Sequence, residues 1–428
     1  MIPILVPLFL SALPQASGPL AIRVRRAETA DAGSVQHALI LVEGGKIVEV
    51  GEDLPVARGI PVVERPDLVV TPGLVNAHTR IGAGRTVATR SFDPQASPEL
   101  EIDPRADHWA ELLERGVTTL GYYPEGNGVP GQALALTPHG ETLEEMLVVR
   151  PAYLKINLNA TASSKKMLRE AFAKVDEYDE KVAKEREKWE KALEKQKKSK
   201  KSSSRSKKDE DEKKDEEQKD TAVALDDDED KVPEVFVPSP PDEKVAPFIG
   251  LREGQLTAMM SLRKAADYLH LIDVIDHEKD VHWYLQFDLR DDIDFFFVAE
   301  RIGERELLVV TQPEATLQQH SIRERNIPAE LARAGAAVAF VPSRDSVQGH
   351  EDWLVDVGRL IGKGFPRDEA VAAVTLNGAR ALGLEERLGS ITKGKDANLV
   401  FWSGDPFEPS SRIVAVMLDG EFVHGDIR

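Results

Sequence analysis

The 428-residue chain contains no cysteine, which excludes disulfides, thiolate zinc sites and cysteine nucleophiles and leaves the redox compartment unreadable. Beyond its N-terminus it also lacks any apolar run near the ~18 residues that a membrane-spanning helix needs. Positive charge is short: 55 Lys and Arg stand against 74 Asp and Glu, for a formal net charge of −19. Such a balance argues against nucleic acid as a partner. The deficit is concentrated, because residues 209–230 hold 13 Asp or Glu and 3 Lys, a local charge of −10.

What is present begins with "MIPILVPLFLSALPQASGPLA", an apolar run ended by small residues. It resembles a secretory signal cleaved near residue 18, although residues 1–18 hold three prolines and no Lys or Arg precedes the run. The expectation is a signal peptide over 1–18 and an exported protein, periplasmic or extracellular. Without that signal it would be cytoplasmic.

Strand patterns lie at both ends. "ALILVEGGKIVEVGE" places β-rich runs on either side of Gly44-Gly45, a hairpin signal, and "DANLVFWSGDP" with "IVAVMLDGEFVHGD" repeats the pattern near the C-terminus. One small sheet domain built from the two ends, residues 19–70 and 386–428, is expected. The middle alternates helix and strand: "HWAELLERGVTTLGYYP", "IDFFFVAERIGERELLVVTQ" and "IPAELARAGAAVAFVPS" each read as helix, glycine stop and β-branched run. That repetition predicts a parallel sheet, open or closed, over 71–163 and 246–385. "PRDEAVAAVTLNGARALGL" predicts a final helix.

Residues 164–245 break the pattern. A long charged helix carries Leu168, Ala171, Val175, Tyr178, Val182, Trp189 and Ala192 on a seven-residue rhythm that Glu185 interrupts. Either the stripe packs within its own domain, or it forms a short coiled coil with a protein partner or a second copy. The basic run Lys195–Lys208 and the acidic run that follows lack the apolar surface to fold, so a disordered insertion is expected there.

"ILVEGGKIVEVGE", "VVTPGLVNAHTRIG" and "EAVAAVTLNGARALGLEERLGSITKGKDANLVFWSGDPF", in this order at the two ends, resemble the amidohydrolase superfamily, with a flavour closest to its imidazolonepropionase-like members. The resemblance implies an α/β fold: a (β/α)8 TIM-like barrel carrying a small β-sandwich made from both chain ends. It also implies hydrolysis of non-peptide C–N bonds in cyclic amides or amidines. A divalent metal, zinc foremost, would activate water, and the usual ligands are a His-x-His pair, a carboxylated lysine or a glutamate, two further histidines and an aspartate.

Carried onto this sequence, the pattern is incomplete. His78 takes the first place of the His-x-His pair, but Arg80 takes the second and puts a permanent cation where a ligand is needed. Lys155 alone could be the carboxylated lysine, near an expected fourth strand. Gln286 and Gln312 stand where histidines belong; His282 precedes its strand and His320 lies eight residues beyond Gln312. Asp345 keeps the place of the catalytic aspartate. A rebuilt metal set of His78, His139 and Asp345 is one alternative. A second leaves His139 as a loop residue and pairs Arg80 with Asp345 in a metal-free mouth, where Arg80, Gln286 and Gln312 would contact a small-molecule substrate or ligand. Three functional classes follow: hydrolase, non-catalytic binding protein or pseudoenzyme, and scaffold acting through the charged helix.

Overall fold

The computed structural model describes residues 18–84, 91–210, 233, 235–289, 294–318 and 321–428. The signal-peptide expectation, most of the acidic run and His320 lie outside the described residues. By internal contacts the chain separates into two units, one running to Lys165 and resuming at Gly250, the other Lys166–Ile249.

In the first unit the N-terminal strands are β1 (Leu20–Glu28), β2 (Ala38–Glu43), β3 (Lys46–Glu52) and β4 (Val62–Pro72). Seven strands then run parallel to their neighbours: β5 (Leu74–Thr79), β6 (Val117–Tyr122), β7 (Leu154–Asn157), β8 (Ala258–Leu262), β9 (Trp283–Phe287), β10 (Leu308–Thr311) and β11 (Ala337–Phe340). The chain closes with β12 (Leu399–Trp402), β13 (Ile413–Leu418) and β14 (Glu421–His424). The helices used below are α1 (His108–Glu114), α2 (Ala162–Glu210), α3 (Ile327–Ala334), α4 (Val347–Gly362), α5 (Arg367–Val374) and α6 (Leu376–Ala381).

Both chain ends share one sheet, ordered β14-β13-β12-β4-β1-β2-β3. Gly44 and Gly45, at φ +57° and +78°, make the left-handed turn that joins β2 to β3. The strand patterns predict one sheet from both ends, and the resemblance a sandwich; the structure has one hydrogen-bonded sheet that curls. Its far edge returns to the C-terminal segment through Ile47 N to Lys395 O (2.9 Å) and Ala397 N to Gly45 O (2.8 Å). Alternate residues from both ends, among them Ile22, Ile40, Leu399, Phe401 and Met417, meet in one apolar core.

The parallel strands fall in two ladders. β5 and β6 continue into an antiparallel strand at Leu134–Leu136, and Gly131–Gln132 pairs antiparallel with β7, which leads through β8, β9 and β10 to β11. Ala133 bridges the ladders, donating to Tyr153 O and accepting from Ala152 N, both at 2.8 Å. The eight parallel strands of the expected barrel are therefore not all present. Seven are, among the described residues, with one antiparallel stave, and the ladder does not close between β11 and β5.

The expected final helix is also divided. Thr375 leaves helical geometry at φ −134°, ψ −85°, while its hydroxyl donates back to Val371 O at 2.6 Å. The break turns α6 onto the open strands: Asn377 Nδ2 donates to Val338 O of β11 at 2.8 Å, and a Cβ on Gly378 would stand 2.6 Å from Val75 O of β5. Only glycine permits that approach.

In the second unit, the returning chain covers the α2 stripe. Phe172 meets Phe248 edge-on, Tyr178 donates to Ser239 O, and Trp189 donates to Pro233 O while its ring lies 5.7 Å from Phe236. Glu185, an interruption in a heptad, here accepts from both Ser239 N and Ser239 Oγ.

Candidate functional site

Strand register brings Asn157, Ser261 and Gln286 side by side near the carboxyl ends of β7, β8 and β9. With Asn76, His78, Tyr123, Lys155, Gln312 and Asp345 they line a cavity of about 340 Å³. Placement at the carboxyl ends of parallel strands is where α/β folds build ligand sites, because the following loops converge there.

His78 ends β5 with both ring nitrogens buried and without a hydrogen-bond partner. Its ring meets Tyr123 edge-on at 3.8 Å between centroids. Burial, followed by the nearby Lys155, holds the imidazole well below its usual pKa, so the ring is neutral. Lys155 belongs to the third parallel strand rather than the fourth and is only 7% exposed, with Nζ 3.3 Å from the Tyr123 ring centroid. Burial, then the charge of Arg80, pushes the amine well below the ordinary lysine range, against smaller pulls from Glu125 and Asp345. The Tyr123 hydroxyl is pushed up, chiefly by burial.

Asp345 follows β11 and ties down the end of β5, accepting from Thr79 Oγ1 and, at 2.6 Å, from Arg80 N. The Arg80–Asp345 ion pair considered from sequence is not what forms. The Arg80 guanidinium points elsewhere, to Glu101 Oε2 (2.7 Å), Tyr123 O (2.8 Å) and Glu125 Oε2 (3.4 Å). Arg80 is absent from the cavity lining and its charge is spent on Glu101, which is almost wholly buried. An arginine offered to a bound carboxylate is therefore not available in this arrangement.

The remaining candidates divide. Gln286 lines the cavity, and its amide has no partner among the described residues. Gln312 lines it too, but Oε1 accepts from Leu289 N at 3.0 Å and so braces the loop after β9. His139 is exposed and apart from the cavity. It follows the antiparallel strand Leu134–Leu136, whose carboxyl end points to the opposite side of the sheet from His78, so the rebuilt set of His78, His139 and Asp345 does not assemble. Sequence reading missed Glu101, in a region without periodicity, and Tyr123, read only as part of a buried run. It also passed over the Asn76–His350 contact, although His350 shares a helical face with Trp353, Leu354 and Val357.

The donor set does not fit a divalent-metal cage. Among the described residues His78 is the one imidazole on the cavity, both Asp345 oxygens already accept hydrogen bonds, and Arg80 stands where the motif needs a second imidazole; Lys155 could donate only if carboxylated. No three His, Asp or Glu side chains converge among the described residues.

The architecture is that of a TIM-barrel-type α/β fold with an attached β-rich domain. An amidohydrolase from Thermotoga maritima MSB8 shares it with a TM-score of 0.69 over 95% of this chain and all of that one, at 22% identity. The amidohydrolase family model matches residues 358–423. An imidazolonepropionase of Flavobacterium johnsoniae is 33% identical over 104 residues, 22% of this chain and 25% of that protein. A 5-methylthioadenosine/S-adenosylhomocysteine deaminase of Moorella thermoacetica is 35% identical over 80 residues, 17% of this chain and 19% of the relative. Matches to these curated relatives thus span a quarter of their length or less. The C-terminal sequence is thus similar to the amidohydrolase family, and the fold to that of an amidohydrolase.

Proposed function

We propose that the cavity binds a small polar molecule with an amide- or amidine-type C–N bond, in a barrel whose inherited metal cage has been replaced by protein groups. One observation carries this reading: Arg80 takes the second imidazole's place in the motif and turns its charge into a buried pair with Glu101. A neutral His78, the buried amine of Lys155, held well below the ordinary lysine range by burial, and the unpartnered amide of Gln286 then offer a hydrogen-bonding wall for a polar ligand. The imidazolonepropionase and deaminase relatives support the choice of a small nitrogen-containing molecule.

Elemental analysis of protein purified without chelator, alongside a thermal-shift screen of cyclic amides and amidines, tests the proposal. Substoichiometric metal, together with a ligand-induced rise in melting temperature that Gln286→Ala abolishes, is expected. Stoichiometric zinc, iron or manganese that His78→Ala removes would instead establish a metal hydrolase.

A further inference from the structure

Asn76 and His350 are buried at 1% and 3% exposure, and their side chains meet with Asn76 Nδ2 3.0 Å from His350 Nε2. The other ring nitrogen, Nδ1, lies 2.8 Å from Ser346 O. A carbonyl oxygen can only accept, so Nδ1 carries the proton. In the neutral ring Nε2 then accepts, which obliges Asn76 to present its amide N–H and leaves Asn76 Oδ1 to accept from His78 N at 3.1 Å. A single carbonyl thereby fixes the imidazole tautomer, the amide orientation and the main-chain partner of His78.

We propose that His350, acting through Asn76, is a positioning residue that latches the His78 end of β5 while its ring is neutral and releases it when the ring takes up a proton. A protonated ring turns Nε2–H toward the Asn76 amide N–H, donor against donor. Turning the amide over would satisfy the ring but set NH2 against His78 N–H. Neither orientation of Asn76 serves both neighbours, so the mismatch passes to the His78 main chain at the cavity wall. Burial disfavours the charged ring most, and Arg115, after α1, adds to it, against the Ser346 carbonyl and Asp345, in the loop before α4, which favour it; Arg115 is itself paired with Glu351 at 3.2 Å. Trp353 closes the ring's other side edge-on, at 6.1 Å. The consequence for binding rests on reading the cavity as a ligand site, but the latch does not.

Histidine ring titrations by NMR on the full-length chain with 15N-labelled histidine test it. In the wild type, His350 is expected to titrate below 6.5, its ordinary value, and the His78 ring signals to shift at the same midpoint. His350→Gln keeps an acceptor for Asn76 but cannot titrate, so the shift at His78 disappears. Asn76→Asp supplies a carboxylate that accepts from both the charged ring and His78 N–H, so the His350 midpoint moves above 6.5. His350 titrating at or above its ordinary value in the wild type, or His78 signals indifferent to it, would overturn the latch. Should His350→Gln not fold, the sign of the Asn76→Asp shift decides alone. An intact titration pattern with no small-molecule binding would count against the ligand reading only.

Discussion

Arg80 and Glu101 form a pair in which the carboxylate is 1% and the guanidinium 11% exposed. Such a pair stabilises modestly while both partners are present, but removing one strands the other's charge out of water. Arg80→Met is therefore expected to cost about 3–5 kcal/mol, read as a fall in urea midpoint, and Arg80→Met with Glu101→Leu to recover much of it. Replacing Arg80 by His to restore the His-x-His motif should be penalised likewise, because Glu101 stays behind. His350 adds an acid limb. Its folded pKa lies below the ordinary 6.5, so its contribution is full above that value and is lost as pH falls from there through the depressed value. Melting temperature followed over that window should drop less in His350→Gln than in the wild type. At this scale the sequence discloses His78 and Asp345, because motif spacing marks them, and conceals Glu101 and the Asn76–His350 pair, because long-range contact alone gives them meaning.

Among the elements, α6 packs over the seam where the ladder stays open between β11 and β5. Gly378→Ala places a methyl 2.6 Å from Val75 O, a backbone atom that cannot swing aside. Overpacking of this kind costs about 1–3 kcal/mol, and the variant should show a lower melting temperature with amide exchange quickened in β5 and β11. The helix–strand units that end in β6, β10 and β11 are legible from glycine stops and β-branched runs, and α3 ends at Gly335 as its pattern requires; β8, in an irregular stretch, is not. The division of α5 from α6 is not legible, since Thr375 breaks the helix through a side-chain bond and not through glycine or proline. Nor is the curl of the single sheet, because alternation of apolar residues reports a buried face without saying what covers it.

For the molecule as a whole, the Lys166–Ile249 unit carries its own set of contacts, from Phe172 on Phe248 to Trp189 on Pro233. Replacing it by a short Gly/Ser linker should leave the first unit folded, with a cooperative melt and with cavity binding retained. Loss of the cooperative transition would show that the insertion is part of the barrel's stability. Any partner held through α2 should be lost at the same time.

The sheet shared by the chain's two ends has a bearing on how the molecule is made. β4 pairs with β12 over Val69–Trp402 to Pro72–Leu399, so its outer edge has no neighbour until Leu399–Trp402 has left the ribosome. During that interval a bare, strongly apolar strand edge is open to other nascent chains. Docking of the β12–β13 hairpin onto a waiting strand is then a late event, and a ribosome stalled before Leu399 would hold a chain whose adhesive edge is still uncovered.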